Sequence, residues 1–219
     1  MHIFISRSLN EESPFLELEK GGHTIHHESL ISFSALNFEC KEDINWIFFY
    51  SQNGIKYFFK KENYNPSIQY GVMGPQSAQY FEMITGHKPQ LVGDGNAETI
   101  SQYFNTSSES QNILFVTAQN SLNSVANQLS ENIIYESVKV YKNDIKTDVA
   151  LPPFDVLVFT SPLNAKAYLE SKKLGSEQVF AIGSATAAFI KEKTGVTPLY
   201  CKAPSEKNLF DLLKQYLSR

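Results

Sequence analysis

A chain of 219 residues, 42% of them hydrophobic and 13% aromatic, carries enough apolar material for two cores of roughly 100 residues each. A formal charge of −4 with 19 Lys+Arg argues against nonspecific nucleic-acid binding, which needs a basic face. No like-charge run suggests a membrane-surface helix, and no apolar window approaches the roughly 20 residues of a membrane span. Met1-His2-Ile3-Phe4-Ile5-Ser6-Arg7 turns polar too soon for a signal peptide, and Cys40 and Cys201 have no metal-ligand spacing. A soluble, cytoplasmic protein with free thiols is the expectation.

His2–Ser6 reads as a buried first strand. Asn10 to Lys20 carries Phe15, Leu16 and Leu18 at helical spacing and stops at Gly21-Gly22. Thr24 to Phe33 is a long extended run that does not fit the short buried strand of a small parallel sheet. Trp46–Tyr50 is a strand, Gly54–Glu62 a helix, Asn65-Pro66-Ser67 a turn, and Ile68–Met73 a strand. Ser77–Thr85 is a helix with Tyr80, Phe81 and Ile84 on one face. Pro89–Val92 leads into Gly93-Asp94-Gly95-Asn96, a helix over Ala97–Phe104 and a Ser-rich loop, Asn105–Gln111.

The pattern restarts at Asn112–Thr117, with a weaker helix through Leu122, Val125, Ala126 and Leu129 and a second extended run, Ile133–Tyr141. Lys142–Pro153, charged and with two prolines, reads as a linker or surface crossing. Two strand–turn–helix units follow: Val156–Phe159 into Thr160-Ser161-Pro162, then Val179–Ile182 into Gly183-Ser184-Ala185-Thr186. The chain ends in a strand at Val196–Cys201 and a helix from Ser205 whose stripe is Leu209, Leu212, Leu213, Tyr216 and Leu217. Such alternation implies parallel sheets flanked by helices.

An internal match doubles this design. Ser51 lies 110 residues before Ser161, Gly74 lies 109 before Gly183, and Ile3-Phe4-Ile5 lies 111 before Leu114-Phe115-Val116. Thr85-Gly86 parallels Thr194-Gly195 at the helix exits. Three offsets so close to one another argue for two structurally equivalent halves.

The usual catalytic signatures are missing. There is no complete Gly-x-Gly-x-x-Gly, Lys-bearing phosphate loop, Gly-x-Ser-x-Gly elbow or Cys-x-x-Cys. His26 and His27, adjacent on a strand, point to opposite faces and make a poor metal site. What is present is a set of hydroxyls and amides at strand ends: Ser6-Arg7, Ser51, Asn53, Ser77, Thr117, Ser161, Asn164, Ser184 and Thr186. Taken singly, capping accounts for each; Ser161-Pro162 is a good Ncap–N1 pair. Taken together, they decorate the carboxyl ends of parallel strands, where open α/β sheets bind ligands, with helix N-termini able to receive anions.

At these residues the sequence resembles the uroporphyrinogen-III synthase family. The resemblance rests on Ile5-Ser6-Arg7, Phe49-Tyr50-Ser51-Gln52-Asn53-Gly54, Val72 to Ala78, Val92-Gly93-Asp94-Gly95, Val138 to Tyr141, Phe159 to Pro162 and Ala181 to Ala187. It implies two flavodoxin-like parallel-sheet domains joined by a two-stranded β-ladder hinge. Residues 1–33 plus 144–219 would form one domain, 39–134 the other, and 34–38 with 135–143 the linker strands.

The implied reaction closes linear hydroxymethylbilane to uroporphyrinogen III, with loss of water and inversion of the last pyrrole ring. No metal or cofactor takes part. The substrate ionises to an azafulvene cation and passes through a spiro intermediate, and it closes unaided to the non-inverted isomer. The enzyme's task is therefore mostly orientation. The resemblance makes Tyr141, at the end of its strand, the candidate to assist departure of the hydroxyl, since a phenol stays protonated at neutral pH and can donate to a leaving oxygen. Arg7, Ser51, Asn53, Ser77, Ser161, Ser184 and Thr186 become substrate-binding candidates, with Lys56 and Lys166 as added charge. The implied partner is the substrate alone, handed over by the preceding enzyme, with no nucleic acid and no membrane.

Three departures from the family pattern stand out. Ala185 replaces the first threonine of Gly-x-Thr-Thr-Ala, Ser77 stands where the other domain's turn usually has threonine, and Gln119-Asn120-Ser121 supplies no arginine. Two other readings remain: a non-catalytic two-lobed binding protein for an anionic small molecule, and a nucleotide-dependent enzyme using Gly93-Asp94-Gly95. The first predicts an export signal, the second stabilisation by its cofactor.

Overall fold

Short apolar runs, too short for helices, make the strands, and each helix starts where a hydroxyl, amide or glycine turn follows such a run. The computed structural model describes residues 1–41, 43–107, 111–146 and 149–218. The middle of the Ser-rich loop, 108–110, and part of the linker, 147–148, lie outside them. In chain order the strands are β1 (His2–Ile5), β2 (Thr24–His27), β3 (Ile31–Ala35), β4 (Trp46–Phe49), β5 (Gln69–Val72) and β6 (Leu91–Val92). They continue with β7 (Asn112–Ala118), β8 (Ile134–Ile145), β9 (Val156–Phe159), β10 (Gln178–Ala181) and β11 (Leu199–Tyr200). The α-helices are α1 (Glu17–Lys20), α2 (Gln52–Phe58), α3 (Pro75–Thr85), α4 (Ala97–Thr106), α5 (Pro162–Ser171), α6 (Ser184–Thr194) and α7 (Glu206–Leu217).

The chain divides into two units, Met1–Ser32 with Asp144–Arg219, and Phe33–Asn143. The first holds a five-stranded sheet in the order β11-β10-β9-β1-β2, all parallel. β1 and β9 sit at its centre, and Ile3, Phe4, Ile5, Leu157, Val158 and Phe159 are fully buried. Burial on both faces is why these strands read as continuous apolar runs rather than alternating ones. Leu209 and Leu213 of α7 pack on one face with Ile5 and Phe15, while Tyr168 of α5 and Ile190 of α6 cover the other with Phe4 and Phe159.

The second unit repeats that order as β6-β5-β4-β7-β8, again parallel, with β3 added beyond β8. Leu36 N–H donates to Val140 O, and Lys146 N–H donates to Leu30 O. Rising numbers on one strand meet falling numbers on the other, so β3 and β8 run antiparallel. Phe49, Phe81 and Val116 form one core layer and Phe48, Phe104 and Phe115 the other. Each fully buried phenylalanine contributes on the order of 2 kcal/mol.

The internal match extends to backbone detail. Ser51 (φ −157°, ψ 162°) and Ser161 (φ −161°, ψ 155°) are N-caps in nearly the same conformation. Gly74 and Gly183 match as well, and α3 and α6, each of 11 residues, both end on a left-handed glycine, Gly86 and Gly195. A positive φ there is the ordinary glycine helix stop.

Four sequence expectations need correction. Thr24 to Phe33 is not one strand: Ser29 bonds locally to Ile31, and the run breaks into β2 and β3. Both long runs do enter small parallel sheets, β2 beside β1 and β8 beside β7. The 10–20 segment is a 3-10 turn at Pro14–Leu16 followed by the four-residue α1. The helix expected near 122–129 shrinks to a 3-10 turn at Ala126–Gln128, held by Val125 and Ala126 N–H groups donating to Tyr50 Oη at 3.2 and 3.1 Å.

Candidate active site

In the second unit, β4 ends at Phe49 and α2 begins after Ser51, whose Oγ accepts the Gly54 N–H at 3.1 Å. The same Oγ lies 3.1 Å from Tyr141 Oη. How Tyr141 gets there is a matter of register. Thr117 pairs with Lys139, yet Ala118 pairs with Tyr141, so Val140 is an extra residue in β8. Such a bulge re-aims the following side chain. Val138, Val140 and Tyr141 consequently all enter the same core layer, where strict alternation would have sent Tyr141 to the other face.

Tyr141 is 7% exposed, and its ring is stacked on Tyr57 at 5.5 Å and 17°. Tyr57 is held in turn by its hydroxyl, which donates to Phe33 O at 2.8 Å. Tyr57 carries no motif in the sequence; only its buried place on α2 beside Ser51 could have drawn attention to it. Asn53 and Ser77, both half-buried, stand in the first turns of α2 and α3. Lys56 Nζ is 5.8 Å from the Tyr57 ring centroid.

In the first unit the equivalent turn is closed by hydrogen bonds. Ser161 Oγ accepts two from Asn164, the backbone N–H at 3.1 Å and the side-chain amide at 3.2 Å. With both lone pairs used, its O–H is left as a donor. Asn164 is buried, and its Oδ1 accepts the Leu30 N–H at 2.8 Å. Ser184, at the start of α6, is exposed, and so is Ala185, where the family pattern has a hydroxyl. Thr186 is only 2% exposed. Arg7 lies 3.4 Å from Glu206, while Lys166 is 3.7 Å from Glu170 on the α5 surface. Ser6 and Thr117 are buried, bonded to Thr160 and to Val138 O respectively.

The glycine-rich turn after β6 is structural. A Cβ on Gly93 would meet Met73 O and Ile100 at 2.6 Å, so the glycine allows close packing. Asp94 accepts from Asn96 N–H at 2.8 Å and from Thr99 at 3.2 Å. The Asn96 bond is the main reason its carboxyl is held below the usual range. This carboxylate occupies the start of α4, which leaves little for a nucleotide phosphate.

A family model described as uroporphyrinogen-III synthase HemD matches residues 14–211. The chain belongs to the uroporphyrinogen-III synthase family. Membership makes it a cyclising lyase of tetrapyrrole biosynthesis. Among solved structures, uroporphyrinogen-III synthetase from Helicobacter pylori 26695 is 21% identical, with 99% of this chain and 98% of that one covered at a TM-score of 0.73. A mutant uroporphyrinogen III synthase from the extremely thermophilic bacterium Thermus thermophilus is 16% identical, with 100% and 98% covered at a TM-score of 0.62. At such identities the likeness concerns the fold. No curated protein matches the chain significantly in sequence. Among the described residues of this synthase-family chain, no helix is long and apolar enough to cross a membrane.

Proposed function

We propose that the chain turns hydroxymethylbilane into uroporphyrinogen III with Tyr141 as the group that assists departure of the hydroxyl. One observation carries this assignment: Tyr141 Oη lies 3.1 Å from Ser51 Oγ at the carboxyl end of β4. With the Ser51 O–H donating to Tyr141 Oη, the tyrosine's own proton is free for the leaving oxygen of the substrate. The C–O bond breaks toward that oxygen, which leaves as water; the remaining cation attacks the far pyrrole to give the spiro intermediate, which breaks and recloses with that ring inverted and sheds a proton. Binding falls to donors at strand ends. Ser161 offers an O–H to a carboxylate, Ser184 and Ser77 lie at helix starts, and Asn53 and Arg7 add an amide and a charge. Thr186, two residues beyond Ser184, adds a hydroxyl at the same turn.

Orientation supplies most of the catalysis, because the unaided reaction already closes the ring and only its outcome must change. We place the enzyme in the cytoplasm, receiving its unstable substrate from the enzyme that makes it. The test is incubation with freshly generated hydroxymethylbilane and separation of the porphyrin isomers after oxidation. The type III isomer is expected. Type I alone would overturn the assignment and favour a binding protein.

A further inference from the structure

The two halves differ where α2 meets α3 and α5 meets α6, at the ends away from the capping turns. Over 51–64 and 161–174 the succession of exposed, half-buried and buried positions is the same, residue for residue. In the second unit this place is filled by the chain's own rings. Tyr64 stacks on His87 at 4.2 Å and 9°, and also lies against Tyr70 at 5.1 Å. In the first unit the residues 110 after Tyr64 and 109 after His87 are Leu174 and Val196. With these rings gone, a groove of about 760 Å³ opens over Leu169, Leu174, Phe189 and Val196.

Its rim changes charge as well. Glu62, Asn63 and Ile84 have as counterparts Lys172, Lys173 and Lys193, and Lys166 stands at the same rim. Lys166 faces Glu170 at 3.7 Å and Lys193 faces Glu192 at 2.8 Å, both pairs exposed. Lys172 donates to the carbonyls of Leu151 and Pro152, and Lys173 has no carboxylate partner among the described residues. The net charge of this rim is positive on a chain that is acidic overall.

We infer that this groove binds a small planar aromatic anion, its ring taking the place that the Tyr64–His87 stack fills in the other unit. The volume falls within the roughly 300–1,000 Å³ of small-molecule sites, and an apolar floor with a cationic collar suits an aromatic carboxylate or sulfonate. The groove lies on one unit and shares no residue with Ser161, Ser184 or Tyr141.

Fluorescence titration of the full chain with anilinonaphthalene sulfonate tests the proposal. Two double variants are compared with the parent. Leu174→Tyr with Val196→His restores the rings of the other half; Lys173→Glu with Lys193→Glu reverses charge without entering the core. Each is expected to weaken a saturable site by about tenfold or more, with cyclisation unchanged. Unchanged affinity in either variant, or no saturable binding by the parent, overturns it.

Discussion

The turn after β4 and the turn after β9 share the conformation of their cap serine and differ, among other positions, at Gly54 and Asn164. At Gly54 the second unit has nothing beyond Cα, and a Cβ there would sit in ordinary contact, 3.5 Å from Val116 O and 3.7 Å from Ser51 Oγ. The residue 110 later is Asn164, whose amide occupies the cap serine and holds Leu30 N–H. Leu30 itself stands 111 residues before Tyr141. In one half the acceptor sites of the cap serine are taken by an asparagine that also holds Leu30, in the break between β2 and β3. In the other the asparagine is absent, and a tyrosine hydroxyl reaches the serine instead. One duplicated frame thus carries two different hydrogen-bond arrangements at its cap serines.

The largest effect should come from breaking the Ser51–Tyr141 contact, to which the proposed chemistry is assigned. Tyr141→Phe keeps the stack on Tyr57 and removes only the hydroxyl, so turnover should fall by about tenfold or more with an unchanged melting temperature. Unchanged turnover would remove Tyr141 from the mechanism. Gly54→Asn, which copies the first unit's arrangement into the second, should compete for Ser51 and lower turnover severalfold, read against the melting curve.

The paired serines sharpen the contrast. Ser51→Ala and Ser161→Ala each lose a helix cap worth about 1 kcal/mol. Only the first is expected to depress kcat; the second should raise KM. Equal kinetic profiles would mean that the two turns do not differ in role. Asn164→Ala strands a buried Leu30 N–H and should cost about 1–3 kcal/mol in denaturant unfolding, with little loss of turnover under native conditions.

The smallest effect concerns pH. Tyr168 of α5 corresponds to Phe58, 110 residues earlier, and burial pushes its phenol up to about 12. A raised folded-state value leaves stability intact below the ordinary phenol pKa of about 10 and erodes it as the pH climbs from there through the folded value. Tyr168→Phe should flatten that part of the alkaline unfolding profile. An identical profile would refute the contribution.

Much of the fold was legible. Continuous apolar runs followed by hydroxyl or glycine turns specify buried parallel strands feeding helices, and the equal offsets declare the duplication. Segments governed by distant contacts were not. The 122–129 region reads as helix by its apolar spacing, yet Tyr50 captures its backbone N–H groups across the sheet. The break at 28–30 hinges on a serine's local bonds, invisible in a pattern of hydrophobicity. At the site, the sequence offers Tyr141 and Ser51 as candidates but says nothing of the bulge at Val140, because one extra residue leaves the alternation of Val138 and Val140 intact. Tyr57 and the Asn164–Leu30 bond escape for the same reason: their partners lie far off in the chain.

The place of β1 has a consequence for synthesis. The strand is interior to the first unit's sheet, hydrogen-bonded on one side to β2 and on the other to β9, which begins at Val156. During synthesis it is made before β9 and must wait for that partner while residues 33–143 are made and can close their own sheet. Until β9 arrives, the edge of β1 away from β2 has no partner, so Ile3, Phe4 and Ile5 stay half-claimed while the other unit is made. Nascent-chain aggregation in this protein should therefore track the N-terminal strand rather than the larger apolar runs that follow it.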